Sequence, residues 1–87
     1  MLNDDQLRVI VINAITAQVG KLPAAPIHEQ TRLADIGIDS LGLILVFVEL
    51  TSSTDLQFER REGMAPIRTV GDVIQFALDL SLQESLK

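Results

Sequence analysis

The sequence predicts an all-α protein, a small helical bundle with a long first loop and a short or irregular third helix. Three observations point there. Apolar residues recur at helical spacing in three segments, each opening on side chains suited to capping. All three prolines, and Gly20, Gly37 and Gly63, fall between those segments. And 87 residues, of which 47% are hydrophobic, suffice for one core and so for one domain spanning residues 1–87.

The first helix opens at Asn3, Asp4 and Asp5, which offer a cap and early carboxylates, and continues through Leu7, Ile10, Val11, Ala14 and Ile15. Val9 and Ile12 blur that stripe. Gly20 is a natural stop, and "KLPAAPIHEQTRLADIG" then carries two prolines and a glycine, too irregular for a regular element. In this long loop Leu22, Ile27, Leu33 and Ile36 are expected to pin the chain across the helices. A second helix is expected from Asp39 to about Thr51 or Ser53, where "TSSTD" collects side chains that compete for helical hydrogen bonds. Leu56 and Phe58 alternate with polar neighbours in a short connection. "ERREGMAPIRTV" has room for one helical turn, and Gly63 and Pro66 bar anything longer. Thr69 and Asp72 resemble a capping box for a last helix marked by Val70, Val73, Ile74, Ala77 and Leu78 and fraying from Ser81 to Lys87.

Composition excludes several classes of function. There is no cysteine, hence no disulfide framework and no thiolate metal site. The net charge of -5 and a pI of about 4.5 disfavour nucleic acid and anionic membranes and favour basic protein partners. "MLNDDQLRV" does not read as a signal sequence, and the longest apolar run is too short to span a bilayer. A cytoplasmic monomer without stable membrane insertion is expected.

The stretch "DIGIDSLGLILVFVEL" sets one hydroxyl, Ser40, between an acidic loop and an apolar run. Asp39 is the expected cap and Ser40 falls in the first turn. Unpaired backbone N–H groups and the positive end of the helix dipole converge there, and both favour a phosphate ester on that hydroxyl. The plainer alternative is that Ser40 helps to cap the helix.

The residues around Ser40 resemble those of a known family, the acyl carrier proteins and their peptidyl carrier relatives. In "LADIGIDSL", Leu33, Asp35, Gly37, Asp39, Ser40 and Leu41 match the pattern Leu-x-Asp-x-Gly-x-Asp-Ser-Leu, and "IRTVGDVIQFAL" is similar to the family's approach to its last helix. The resemblance implies a four-helix bundle with a short third helix. It also implies that Ser40 receives 4'-phosphopantetheine from coenzyme A through a phosphopantetheinyl transferase that uses magnesium. The thiol of that arm would carry acyl groups as thioesters between acyl-loading and acyl-transferring enzymes. By the same resemblance Asp39 assists the transferase encounter and Leu41 contacts the enzyme, and the aliphatic core, with three Phe as its only aromatics, is expected to part for some of an acyl chain.

Helical spacing divides the second helix into two apolar faces. Leu43, Val46, Phe47 and Leu50 share one, and Leu41, Ile44, Leu45 and Val48 share the other. A small bundle rarely buries both, so the second face, with Glu49 beside it, is expected to meet partner enzymes. Here the sequence departs from the fatty-acid carriers it resembles. Gly42 stands where an acidic residue is common, Glu49 is the only acid before Asp55, and "RREGMAPIR" replaces an acidic, proline-led segment. A specialised fatty-acid-like or polyketide pathway is therefore expected, with an amino-acyl or peptidyl carrier, or an unmodified helical interaction module, as alternatives.

Other chemistry is not expected. His28 lacks a second histidine or a cysteine for a metal site or triad, and reads as a solvated loop residue. Asp4 and Asp5 suit a helix N-terminus, and Arg60 and Arg61, a short basic pair amid Glu59 and Glu62, read as a solvated face. No base, nucleophile pair or metal cluster suggests an enzyme.

Overall fold

The first helix, α1 (Asp4–Val19), begins where Asn3 and Gln6 close on each other. The Gln6 amide donates to Asn3 Oδ1 at 2.8 Å and the Asn3 amide to Gln6 Oε1 at 2.9 Å, a reciprocal cap with Asn and Gln in place of the usual pair. The computed structural model describes residues 3–19, 27–58 and 66–85. Along α1, Leu7, Val11, Ala14 and Ile15 are buried and Ile10 and Ile12 pack at the core's margin. Val9 faces solvent, which resolves the blur in the stripe.

From Ile27 onward the long loop is more ordered than its composition suggests. A 3-10 turn (Ala34–Ile36) ends at Gly37, whose φ of 79° is the left-handed conformation that glycine adopts without steric cost. Just before it, the chain pairs with the residues leading into the last helix, through an antiparallel bridge between Arg32 and Thr69. Leu33 N donates to Arg68 O, Val70 N to Thr31 O and Gly71 N to Glu29 O, at 2.7–2.9 Å. Main-chain groups make this strap, so it leaves no periodicity in the side chains, and the sequence reads as irregular there. Leu33 is buried, Ile27 and Ile36 are half-buried against the core, and Leu22 lies outside the described residues. Ile38, not anticipated as an anchor, is buried too.

The second helix, α2 (Ser40–Thr54), runs slightly past the expected end. The reason lies in the hydroxyls of "TSSTD". Thr54 Oγ1 donates to Leu50 O and accepts from Leu56 N, while Thr51 Oγ1 accepts from Phe58 N. They close the C-terminus instead of breaking the helix early.

The last helix, α3 (Val70–Ser85), starts on the expected box: Asp72 N donates to Thr69 Oγ1, and Asp72 Oδ2 accepts from both Thr69 N and Arg68 N. With the strap, the free amides of its first turn are provided for by loop carbonyls as well as by the cap. It continues to Ser85, so the fraying expected from Ser81 is not seen within its span.

Among the described residues the protein is all-helical, with three α-helices and no strand. The expected four-helix bundle is not confirmed by that count. Its short third helix would fall within residues 59–65, which lie outside the described residues, as do Arg60 and Arg61. α1 packs against both α2 and α3 over an apolar core. Part of that core is aromatic, because the chain's three phenylalanines meet: Phe47, Phe58 and Phe76 have ring centroids 5.6–6.1 Å apart, two of the three pairs edge-on.

Candidate functional site

Asp39 sits in the extended region, and its Oδ1 accepts the Gly42 amide at 2.8 Å, which makes it the cap of α2. Ser40 is therefore the first helical residue. Its side chain is exposed, and its hydroxyl makes no hydrogen bond with the described residues. Capping does not account for this serine.

Gly42 explains one departure noted in the sequence. A Cβ there would lie 3.3 Å from Ile38 Cγ2 and 3.4 Å from Asp39 Oδ1, so a side chain would press on the incoming loop and pack against the cap.

Beside Ser40 opens a cleft of about 770 Å³ between the loop, the head of α2 and the approach to α3. Leu33, Ile38 and Leu43 form a buried apolar floor, and Arg32 and Arg68 also line it. Sequence reasoning did not single out these two arginines. They are far apart in the chain and come together through the strap, which has no sequence signature.

The two faces of α2 are as the spacing indicates. Leu43, Val46, Phe47 and Leu50 are buried, whereas Leu41, Ile44, Leu45 and Val48 are 64, 52, 45 and 62% exposed. This apolar strip starts next to Ser40 and runs down the helix with exposed Glu49 at its side. His28 is an exposed turn residue whose Nδ1 accepts from Gln30 N, and no acidic or histidine cluster able to hold a metal occurs among the described residues. Asp4 and Asp5 lie exposed in the first turn of α1. No helix among the described residues is long and apolar enough to cross a membrane.

A family model described as the phosphopantetheine attachment site matches residues 11–77. The chain belongs to the phosphopantetheine-binding carrier family. Searches of curated proteins and of solved structures gave no significant match. Carriers of this family bear a covalently attached 4'-phosphopantetheine and are served by transferases and acyl-handling enzymes; they hold substrates instead of catalysing reactions. The head of α2 fits such a group, for it offers a free, exposed hydroxyl at a helix N-terminus beside an open cleft.

Proposed function

We propose that this chain acts as an acyl carrier protein that bears 4'-phosphopantetheine on Ser40 and serves a specialised fatty-acid-like or polyketide pathway. The observation that carries the reading is the Ser40 hydroxyl itself, exposed at the first position of α2 and without a structural partner among the described residues. When bound, the arm supplies a thiol that holds acyl groups as thioesters.

The chain's own residues have three tasks. The first-turn amides and the helix dipole of α2 stabilise the negative charge of a phosphodiester at Ser40. Asp39 holds that turn in place through Gly42 N and, with Leu41, faces the phosphopantetheinyl transferase, which would take the proton from the hydroxyl as the ester forms and the pyrophosphate bond of coenzyme A breaks, releasing adenosine 3',5'-bisphosphate. Leu41, Ile44, Leu45 and Val48, with Glu49 at the margin, receive the acyl-loading and acyl-transferring enzymes next to the arm. Weak docking then lets the carrier leave, while the tether keeps the cargo at high effective concentration.

Incubation with coenzyme A, magnesium and a phosphopantetheinyl transferase tests the reading by intact mass. The expected result is the gain of one phosphopantetheine in the wild type and none in Ser40→Ala, whose fold should change by no more than about 0.5 kcal/mol because Asp39 supplies the cap. Failure of the wild type with several transferases would point instead to an unmodified interaction module.

A further inference from the structure

The strap brings two cations to the cleft that Ser40 lines. Arg32 pairs with Thr69 across the bridge, and Arg68 accepts the Leu33 amide at its carbonyl, so the two exposed side chains leave neighbouring stretches of main chain. Neither guanidinium makes an ion pair or side-chain hydrogen bond with the described residues, although Arg68 lies near enough to Asp72 for its charge to favour that carboxylate. The same cleft contains two carboxylates, and both are already engaged by main-chain amides: Asp39 by Gly42 N, and Asp72 by Arg68 N and Thr69 N. What remains for a ligand is a pair of guanidiniums and a helix N-terminus above the apolar floor of Leu33, Ile38 and Leu43.

That combination suits an anion followed closely by branched aliphatic carbons. We propose that the cleft is the resting seat of the phosphopantetheine arm, with Arg32 and Arg68 pairing its phosphodiester and the apolar floor receiving the dimethyl-bearing carbons next to it. This rests on Ser40 as the attachment point. Guanidinium–phosphate hydrogen bonds are charge-assisted and geometrically specific. At an exposed rim they are individually weak, but a tether supplies an effective concentration on the order of millimolar, at which weak contacts suffice. The arm would lie along the cleft at rest and leave it when an enzyme offers a better site. Salt would loosen the phosphate end and leave the apolar contact.

The test compares backbone amide spectra of the apo and holo forms, with intact mass confirming complete conversion, for the wild type and for the double variant Arg32→Gln, Arg68→Gln. Both arginines are exposed and the Arg68 main-chain amide is retained, so the cap on Asp72 survives the change. In the wild type, conversion should shift the amides of Arg32, Ala34, Ile67 and Arg68 as well as those of Asp39 to Gly42. In the double variant the first group of shifts should vanish, and the phosphorus resonance should lose its dependence on salt. Shifts confined to Asp39 to Gly42 in the wild type, or an unaltered pattern in the double variant, would overturn the seat and leave Ser40 as the attachment point. Slower modification of the double variant with an unaltered pattern would likewise overturn it, assigning the arginines to enzyme docking. Absence of any mass gain in the wild type would remove the attachment reading, and the seat with it.

Discussion

Asp72 holds two main-chain amides with one carboxylate oxygen, and its acidity records that duty. The hydrogen bond from Arg68 N is the largest influence, and with those from Thr69 it keeps the pKa below the usual carboxylate value, against partial desolvation. The unfolded chain therefore takes up this proton at a higher pH than the folded chain. Stability from the charged form is complete above about pH 4 and is lost as the pH falls through the lower folded pKa. Asp72→Asn keeps an acceptor oxygen but no titrating charge. Urea unfolding from about pH 6 to about pH 3 should show the wild type losing more stability than Asp72→Asn, and parallel losses would mean that Asp72 does not carry this dependence. At this scale the sequence was informative where a side chain acts on its own neighbours. Asp39, Thr69 and Asp72 were legible because capping is local in sequence, and the cap at Asp39 in turn places Ser40 in the first turn of α2. Arg32 and Arg68 were not, since their proximity depends on main-chain pairing between distant segments.

The helix α2 presents a core face and a solvent face of almost equal hydrophobicity, and burial alone tells them apart. Phe47→Ala removes a ring that touches both other phenylalanines and should cost about 3–5 kcal/mol, whereas Leu45→Ala on the exposed face should cost about 0.5 kcal/mol or less. Denaturant midpoints of the two variants check the assignment, and equal losses would contradict it. The exposed face also predicts how partners dock. Burying apolar surface contributes about 25 cal/mol per Å², which salt does not screen, while attraction to scattered acids weakens over a Debye length of about 10 Å at 0.1 M. Ile44→Asp should thus impair acyl transfer with the cognate enzyme more than Glu49→Gln does, and raised ionic strength should have a modest effect. A steep fall in rate with salt, with little response to Ile44→Asp, would assign docking to other surfaces. Periodicity made both faces readable. It served less well at the end of α2, because the threonine hydroxyls that signal a stop also close the helix they terminate.

For the molecule as a whole, the helical class and the approximate span of each helix were readable because most of the core lies on three amphipathic stripes. Two long-range features were not: the meeting of Phe47, Phe58 and Phe76, and the strap between residues 29–33 and 68–71. The aromatic cluster bears on the expected entry of an acyl chain. Phe47 lies seven residues beyond Ser40, or roughly 10 Å along α2 at helical rise, so a chain entering beside Ser40 would meet rings at that depth.

The strap has a consequence for the order in which the molecule assembles and opens. It joins Arg32 to Thr69, so the wall of the cleft is closed only after a long stretch of chain has been brought back upon itself. It contributes few main-chain bonds to that closure, and their acceptors, Glu29, Thr31 and Arg68, lie outside the core. In hydrogen exchange, the amides of Leu33, Val70 and Gly71 should share one opening free energy, lower than that of Val11 or Leu50, and Gly71→Ala should lower it further because a Cβ would come within 2.9 Å of Glu29 O. Exchange of these amides at the global rate would show that strap and core open together. If they open first, the cleft beside Ser40 can part while the bundle stays folded.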